Sequence, residues 1–143
     1  MNIANLIADR ASSDIISVTV DQPVRDAVKV LASRRIGALP VMSAGRVVGI
    51  FSERDVIYRL ADQGSACLDL PIGEVMTSPA ITTTTATPIL DALSLMTKRR
   101  IRHLPVIDGE AMCGFISIGD LVKARLDEIQ HEAEAMREYI QTA

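Results

Sequence analysis

Aromatic side chains are scarce in this 143-residue chain, which contains two Phe, two Tyr and no Trp. Because large rings supply much of the buried surface in many proteins, the core here must be built from aliphatic side chains. Single-stranded nucleic acid is bound on aromatic platforms beside basic grooves, and a formal net charge of −3 offers no basic excess. The composition therefore predicts no nucleic-acid partner.

Cysteine is also rare, and its two positions, Cys67 and Cys113, lie far apart in no metal-ligand spacing. A framework of disulfides in a small domain needs more cysteines than this. We expect two reduced thiols, with Cys113 placed in an apolar strand.

Long hydrophobic runs are missing as well. No apolar stretch reaches the ~18 residues of a membrane span. The N-terminal MNIANLIADRASSD has no long apolar centre, unlike a signal peptide. The sequence predicts a cytoplasmic protein with no membrane partner. Hydrophobic residues make up 48 % and charged residues 23 %, which is typical of a globular domain.

What the chain does have is an internal repeat at an offset of 65 residues. Pairing 15–57 with 80–122 needs no gap and gives 14 identities in 43 pairs, whereas unrelated sequences would give roughly three. The pattern Gly-x-x-Ser-x-x-Asp occurs in both copies, at Gly49, Ser52 and Asp55 and again at Gly114, Ser117 and Asp120. A shorter similarity links the lead-in segments, Ile3-x-x-Leu6-Ile7 and Ile72-x-x-Val75-Met76, at an offset of 69.

Each copy predicts the order strand, helix, strand, strand, helix. β-Branched runs at Ile15–Val20 and Ile81–Thr85 indicate first strands, and Pro23 and Pro88 then suit the first turn of a helix. The later strands are expected at Ala38–Met42, Val47–Phe51, His103–Ile107 and Met112–Ile116. The predicted fold class is α+β (α/β), with two pseudo-symmetric β-α-β-β-α repeats packed face to face. The expected units are residues 1–70 with the first lead-in, residues 71–126, and a C-terminal helix over 127–143.

Two interpretations of the repeated Ser and Asp remain open at this point. A Ser where a strand meets a helix is commonly an N-cap, and an Asp three residues later suits the helix dipole. Alternatively, the helix N-terminus offers N–H groups to a phosphate, the carboxylate accepts ribose hydroxyls, and the Gly lets a ligand approach the backbone.

The combined motifs carry a family resemblance. Two copies of h-x-h-x-x-x-x-Pro, where h is an apolar residue, then Arg-Arg-Ile-x-x-Leu-Pro-Val and Gly-h-h-Ser-x-x-Asp, resemble a tandem pair of cystathionine beta-synthase (CBS) domains, called a Bateman module. The resemblance covers Ile3 to about Leu126. It implies two clefts between the repeats that bind adenine nucleotides: AMP, ADP or ATP, with NAD(H) and S-adenosylmethionine as further candidates.

By this resemblance, Asp55 and Asp120 would hold ribose hydroxyls, with Ser52 and Ser117 beside the ribose or phosphate. Adenine would contact the backbone of the opposite repeat. For the Asp120 cleft the expected contacts are Ile15, Ile16, Ile36, Gly37 and Ala38. For the Asp55 cleft they are Ile81, Ile101 and Arg102.

Phosphates need cations, and the resemblance places Arg102 and His103 near them. The first repeat has uncharged Gly37 and Ala38 at that position, so phosphate binding is expected to be unequal. Arg54 beside Asp55 is a further candidate, whereas its counterpart before Asp120 is Gly119, a departure from the polar or charged residue usual in the family. The pairs Arg34-Arg35 and Arg99-Arg100 are expected on solvent-facing helix ends.

The tail predicts a helix with an apolar seam. Its apolar residues alternate by four and three at Val122, Leu126, Ile129, Ala133, Met136 and Ile140. The helix either packs on its own module or crosses to a second subunit. Because Bateman modules generally pair, we expect a homodimer braced by this helix.

The expected function is a regulatory, signal-transducing and energy-sensing module, not an enzyme, that acts on an unidentified effector protein. A structural dimerisation module without a ligand is the alternative. A nucleotide-processing enzyme is less favoured, because His103 and His131 are the two histidines and form no cluster with metal-ligand spacing.

Overall fold

In the computed structural model, which describes residues 1–142, two similar halves follow one another along the chain. The first half holds α1 (Ile3–Ile7), β1 (Val18–Thr19), α2 (Val24–Arg34), β2 (Ala38–Ser43), β3 (Arg46–Ser52) and α3 (Glu53–Gln63). The second holds α4 (Ile72–Val75), β4 (Thr83–Thr84), α5 (Ile89–Arg99), β5 (His103–Asp108), β6 (Ala111–Ser117) and α6 (Ile118–Thr142). Short 3-10 helices at Ser12–Asp14 and Gly64–Asp69 complete the connections.

Each half contains one three-stranded sheet, ordered β1-β2-β3 or β4-β5-β6. The first pair of strands is parallel and the second antiparallel in both sheets, and both hairpins carry an irregularity at equivalent points, Val41/Met42 and Val106/Ile107. The predicted fold class, with two β-α-β-β-α repeats and a C-terminal helix, is confirmed. The first strands are shorter than predicted, because only two residues of each pair with a neighbour.

The prolines lie one position earlier than expected. Pro23 and Pro88 are extended N-cap residues with φ of −70° and −62°, and helices α2 and α5 begin at the following residue. Proline has no N–H to donate, so it costs nothing at a helix start, where N–H groups lack helical partners.

The two lead-in helices are exchanged between the halves. Ile3 of α1 is fully buried in the second core, and the N–H of Ile3 donates to the carbonyl of Thr87. Reciprocally, Ile72 and Val75 of α4 are buried in the first core, and the N–H of Ile72 donates to the carbonyl of Gln22. The lead-in of the expected unit 1–70 therefore packs with the second repeat, because each short helix buries its apolar face across the module.

Candidate functional site

Two clefts of similar size lie between the repeats. The Asp55 cleft has a volume of about 280 Å³ and the Asp120 cleft about 290 Å³. The Asp55 cleft is lined by Gly37, Ala38, Ile50, Ser52, Glu53, Arg54, Asp55, Tyr58, Thr77, Pro79, Ala80, Ile81, Arg100, Ile101, Arg102 and His103. The Asp120 cleft is lined by Arg10, Ala11, Asp14, Ile15, Ile16, Ile36, Ala38, His103, Cys113, Gly114, Phe115, Ser117 and Asp120.

Most of the predicted site residues fall in the cleft expected for them. Ile81, Ile101 and Arg102 meet Ser52, Arg54 and Asp55 in one cleft, and Ile15, Ile16 and Ile36 meet Ser117 and Asp120 in the other. Gly37 is the exception: it was expected in the Asp120 cleft but lines the Asp55 cleft. Consecutive strand residues point to opposite faces, so Gly37 and Ile36, which lead into β2, face different clefts.

Ser52 and Asp55 form a capping box at the start of α3. The Asp55 Oδ2 atom accepts from the Ser52 backbone N–H at 2.8 Å and from its hydroxyl at 3.1 Å, and the Ser52 Oγ accepts from the Asp55 N–H at 3.4 Å. The N–H of Glu53 donates to the carbonyl of Gly37 at 3.0 Å. The Ser–Asp pair is thus a helix cap, and two first-turn N–H groups are already committed.

The second carboxylate oxygen of Asp55 is held from the exchanged lead-in. The Thr77 hydroxyl donates to Asp55 Oδ1 at 3.0 Å. A carboxylate offers about four acceptor positions, and these contacts use three of them. Because the Thr77 hydroxyl can rotate to accept instead, the pair retains capacity for both hydroxyls of a ribose.

Ser117 and Asp120 repeat the cap at the start of α6 with a different third partner. The Asp120 Oδ2 atom accepts from the Ser117 N–H at 2.9 Å, and the Ser117 Oγ accepts from the Asp120 N–H at 3.1 Å. The guanidinium of Arg10 then contacts both carboxylate oxygens, at 3.0 Å to Oδ1 and 3.4 Å to Oδ2. Arg10 follows α1, the lead-in helix that crosses to this half.

The charge state of Asp120 follows from these contacts. Partial burial raises the pKa of this carboxyl, but the Ser117 backbone N–H and the Arg10 guanidinium outweigh that effect and leave the pKa below its ordinary value. Asp120 is therefore firmly ionised and paired near neutral pH.

Sequence reasoning identified neither Thr77 nor Arg10 as a partner of the motif Asp. Gly119 leaves the second repeat without a cation beside its motif Asp, and Arg10 brings one from 110 residues away. The lead-in similarity places Ala8 opposite Thr77, so no pattern marked position 10. Arg10 reaches this cleft because the lead-ins are exchanged between the halves, and the sequence does not show that exchange.

The Asp55 cleft is rich in arginine. Arg54, Arg100 and Arg102 all line it, and within residues 1–142 none of the three belongs to an ion pair. Arg100 was expected only on a solvent-facing helix end. It is exposed at the end of α5, but its left-handed backbone, with φ of 54°, turns the chain into this cleft.

His103 lines both clefts and is half-buried between them. Its ring stacks on Phe115 with centroids 5.5 Å apart and planes 13° from parallel. Burial, and then the nearby positive charge of Arg102, lower the pKa of His103, although Asp120 and Glu53 oppose the shift. The imidazole is therefore mainly neutral at neutral pH.

The motif glycines make room for the exchanged lead-ins, and Gly114 also lines the Asp120 cleft. A Cβ on Gly49 would lie 2.6 Å from the sulfur of Met76 and 2.8 Å from the carbonyl oxygen of Thr77. A Cβ on Gly114 would lie 3.2 Å from Ile7 Cδ1. The Gly in Gly-x-x-Ser-x-x-Asp therefore admits the exchanged lead-in in both halves.

Comparison with known proteins places the chain in a family. The family model described as CBS domain matches residues 7–62 and 72–127, one match in each half and most of the chain together. The chain therefore belongs to the CBS-domain family, as a tandem pair of such domains.

Three relatives illustrate the similarity. The mitochondrial CBS domain-containing protein CBSX3 of Arabidopsis thaliana is 40 % identical over 128 residues, 86 % of this chain and 62 % of that protein, so the chain spans less than two thirds of this relative. The crystal structure of ATU1752 from Agrobacterium tumefaciens is 34 % identical with a TM-score of 0.81, covering 87 % of this chain and 99 % of that one. The structure of CBSX2 in complex with AMP, at 23 % identity and a TM-score of 0.75, covers 88 % and 96 % and shows the shared fold.

Residues 1–142 contain neither a candidate metal site nor a helix suited to a membrane. No three His, Cys, Asp or Glu side chains there are grouped so that they could hold a metal ion. None of the described helices combines the length and apolar character needed to cross a membrane.

Proposed function

We propose that this chain is a regulatory module that binds an adenine nucleotide in the Asp55 cleft. Arg54, Arg100 and Arg102, three arginines outside any ion pair of the described residues, carry this proposal. A guanidinium binds phosphate through charge-assisted hydrogen bonds. An anionic ligand group gives these three cations a common partner.

The rest of the Asp55 cleft supports a nucleoside. The carboxylate of Asp55, with its remaining acceptor capacity beside the Thr77 hydroxyl, suits ribose hydroxyls. Ile81 and Ile101 provide apolar walls for adenine. The related CBS-domain protein CBSX2 has been solved in complex with AMP. We favour AMP, ADP or ATP, with NAD(H) and S-adenosylmethionine as further members of the adenosine class.

We further propose that the module is a homodimer. We also propose that its role is regulatory and not enzymatic. The α6 seam is exposed: Val122 by 44 %, Leu126 by 60 %, Ile129 by 46 %, Met136 by 59 % and Ile140 by 66 %. An apolar helix face of this length is usually covered by a partner. The nucleotide would then bind one of two dimer geometries more tightly and favour it, and an effector protein would bind that geometry.

We propose the cytoplasm as the compartment, as the sequence predicts, although the relative CBSX3 is named mitochondrial. A ligand-free dimerisation module is the second candidate, favoured by the exposed seam and by the capping role of both Ser–Asp pairs.

A thermal-shift series tests the nucleotide proposal. A ligand that binds only the folded state raises the melting temperature. We expect AMP, ADP or ATP to raise it in the wild type and the shift to shrink in Arg102→Gln, with NAD, NADH and S-adenosylmethionine in the same panel. Arg46→Gln, which removes an arginine paired with Glu110 outside both clefts, is the matched control and should keep the full shift. If no compound raises the melting temperature, the nucleotide proposal fails and the ligand-free dimerisation module becomes the favoured function.

A further inference from the structure

The two clefts differ in the sign of the net charge on their lining side chains. In the Asp55 cleft, three arginines face two carboxylates, Glu53 and Asp55. In the Asp120 cleft, a single arginine, Arg10, faces two carboxylates, Asp14 and Asp120. The first lining carries a positive excess and the second a negative one.

Arg10 does not remedy this imbalance, because Asp120 already holds it. Both of its terminal nitrogens contact the carboxylate, at 3.0 and 3.4 Å. A phosphate would have to compete with that carboxylate for the guanidinium while lying close to Asp14. His103, the remaining basic side chain in the lining, adds little positive charge at neutral pH, because burial and Arg102 lower its pKa.

The other walls of the Asp120 cleft are apolar. Ile15, Ile16, Ile36 and Phe115 line the cleft, and the Cys113 thiol donates to the carbonyl of Val106. Apolar walls bury a flat heterocycle well, and a few polar groups then fix its orientation. Here those polar groups are Ser117 and Asp120, with one acceptor position of the Asp120 carboxylate left after its three protein contacts.

We propose that the Asp120 cleft is a second, chemically distinct site, which takes an adenosine-class nucleoside without a phosphate group. The Asp55 cleft takes the phosphorylated nucleotide, so this inference rests on the proposed function. The module would then bind two different adenosine compounds at the same time. Ala38 and His103 line both clefts and form the wall between them.

Calorimetric titration of the full-length protein tests this, with AMP and adenosine as probes. We expect AMP to fill one site per chain, with Arg102→Gln weakening it by about tenfold or more. Adenosine should then bind protein already saturated with AMP. Asp120→Asn should weaken that second binding by about tenfold and leave the affinity of the Asp55 cleft for AMP unchanged.

A gain-of-function variant keeps the test independent of losses caused by misfolding. Gly119 is the counterpart of Arg54, and a Cβ added there meets only the Ser117 hydroxyl at an ordinary 3.6 Å. Gly119→Arg should raise the AMP stoichiometry from one to two sites per chain, whereas the uncharged control Gly119→Gln should not.

The outcomes separate the two proposals. AMP filling both clefts of the wild type, or adenosine failing to bind the AMP-saturated protein, would overturn the second site and leave the nucleotide function standing. An unchanged stoichiometry in Gly119→Arg would show that charge is not what excludes phosphate. Absence of binding with both AMP and adenosine would overturn both proposals.

Discussion

At the scale of single residues, His103 links the two clefts electrostatically. The groups that act on its imidazole are Arg102, which opposes protonation, and Asp120 and Glu53, which favour it, and burial is the largest influence. Because burial and Arg102 prevail, the pKa of His103 in the folded protein lies below its ordinary value. Unfolding exposes the ring and restores that value.

This shift predicts a pH dependence of stability. Below about pH 6.5 the unfolded chain binds a proton at His103 more readily than the folded protein does, so its contribution to stability falls as the pH falls. Above that pH both states are neutral there and the contribution is constant. We expect His103→Gln to lose less free energy of unfolding between pH 7 and pH 5 than the wild type does, as measured by urea denaturation.

The chain supplies its own control for this experiment. His131 lies on the exposed part of α6 and meets neither cleft. His131→Gln should therefore retain the pH slope of the wild type. Equal slopes for His103→Gln and the wild type would contradict the account of His103.

At the scale of secondary-structure elements, the exchange of lead-ins depends on two glycines that differ in how tightly they are packed. The space beside Gly49 is closed by the backbone carbonyl of Thr77 at 2.8 Å as well as by the Met76 sulfur, so an added methyl group must displace the Met76–Thr77 segment that follows α4. The space beside Gly114 is bounded at 3.2 Å by Ile7 Cδ1, the flexible end of a side chain.

The two alanine substitutions should therefore differ. Gly49→Ala should lower the free energy of unfolding by about 1–3 kcal/mol, the usual cost of overpacking. Gly114→Ala should cost about 1 kcal/mol or less, because Ile7 can turn aside and alanine restricts the unfolded chain. Urea denaturation of both variants measures the difference, and equal losses would contradict the tighter packing at Gly49.

Element order and type could be predicted because both copies repeat the same periodic pattern. The predicted strand Val47–Phe51 lies within the observed β3, and the second-repeat strands agree equally closely. The destination of the lead-ins could not be predicted. Their apolar spacing shows that Ile3 and Ile72 are buried but not in which core, since both cores are built mainly from aliphatic side chains, with Phe51 as the buried aromatic of the first.

The same limit applies to the candidate site. The repeat identified Ser52, Asp55, Ser117 and Asp120, because both copies carry them at the same spacing, and both pairs cap a helix. Arg10 breaks the internal symmetry and owes its place to tertiary packing alone. A residue of this kind has no counterpart in the other copy to mark it.

At the scale of the whole molecule, α6 extends beyond the module. Leu121, Ala124, Arg125 and Glu128 pack against the second half or are partly buried, whereas every residue from 129 to 142 is exposed. At 1.5 Å per residue this part projects about 21 Å. The alternative in which the tail packs along its own module is therefore wrong for this part of the helix.

If the seam is a dimer interface, charges on it should separate the subunits. We expect the double variant Ile129→Lys, Met136→Lys to sediment as a monomer while keeping its fold, because both side chains are already exposed. The control His131→Lys, Ala135→Lys adds the same charge off the seam and should remain a dimer. A seam variant that sediments like the control would overturn the interface.

The central claim is that an adenine nucleotide lies in the Asp55 cleft, and amide chemical-shift mapping tests it most directly. The account predicts that AMP shifts the backbone signals of residues 52–55, Ile81 and residues 100–103, and leaves the projecting part of α6 unchanged. No shifts, or shifts confined to residues outside this cleft, would contradict it.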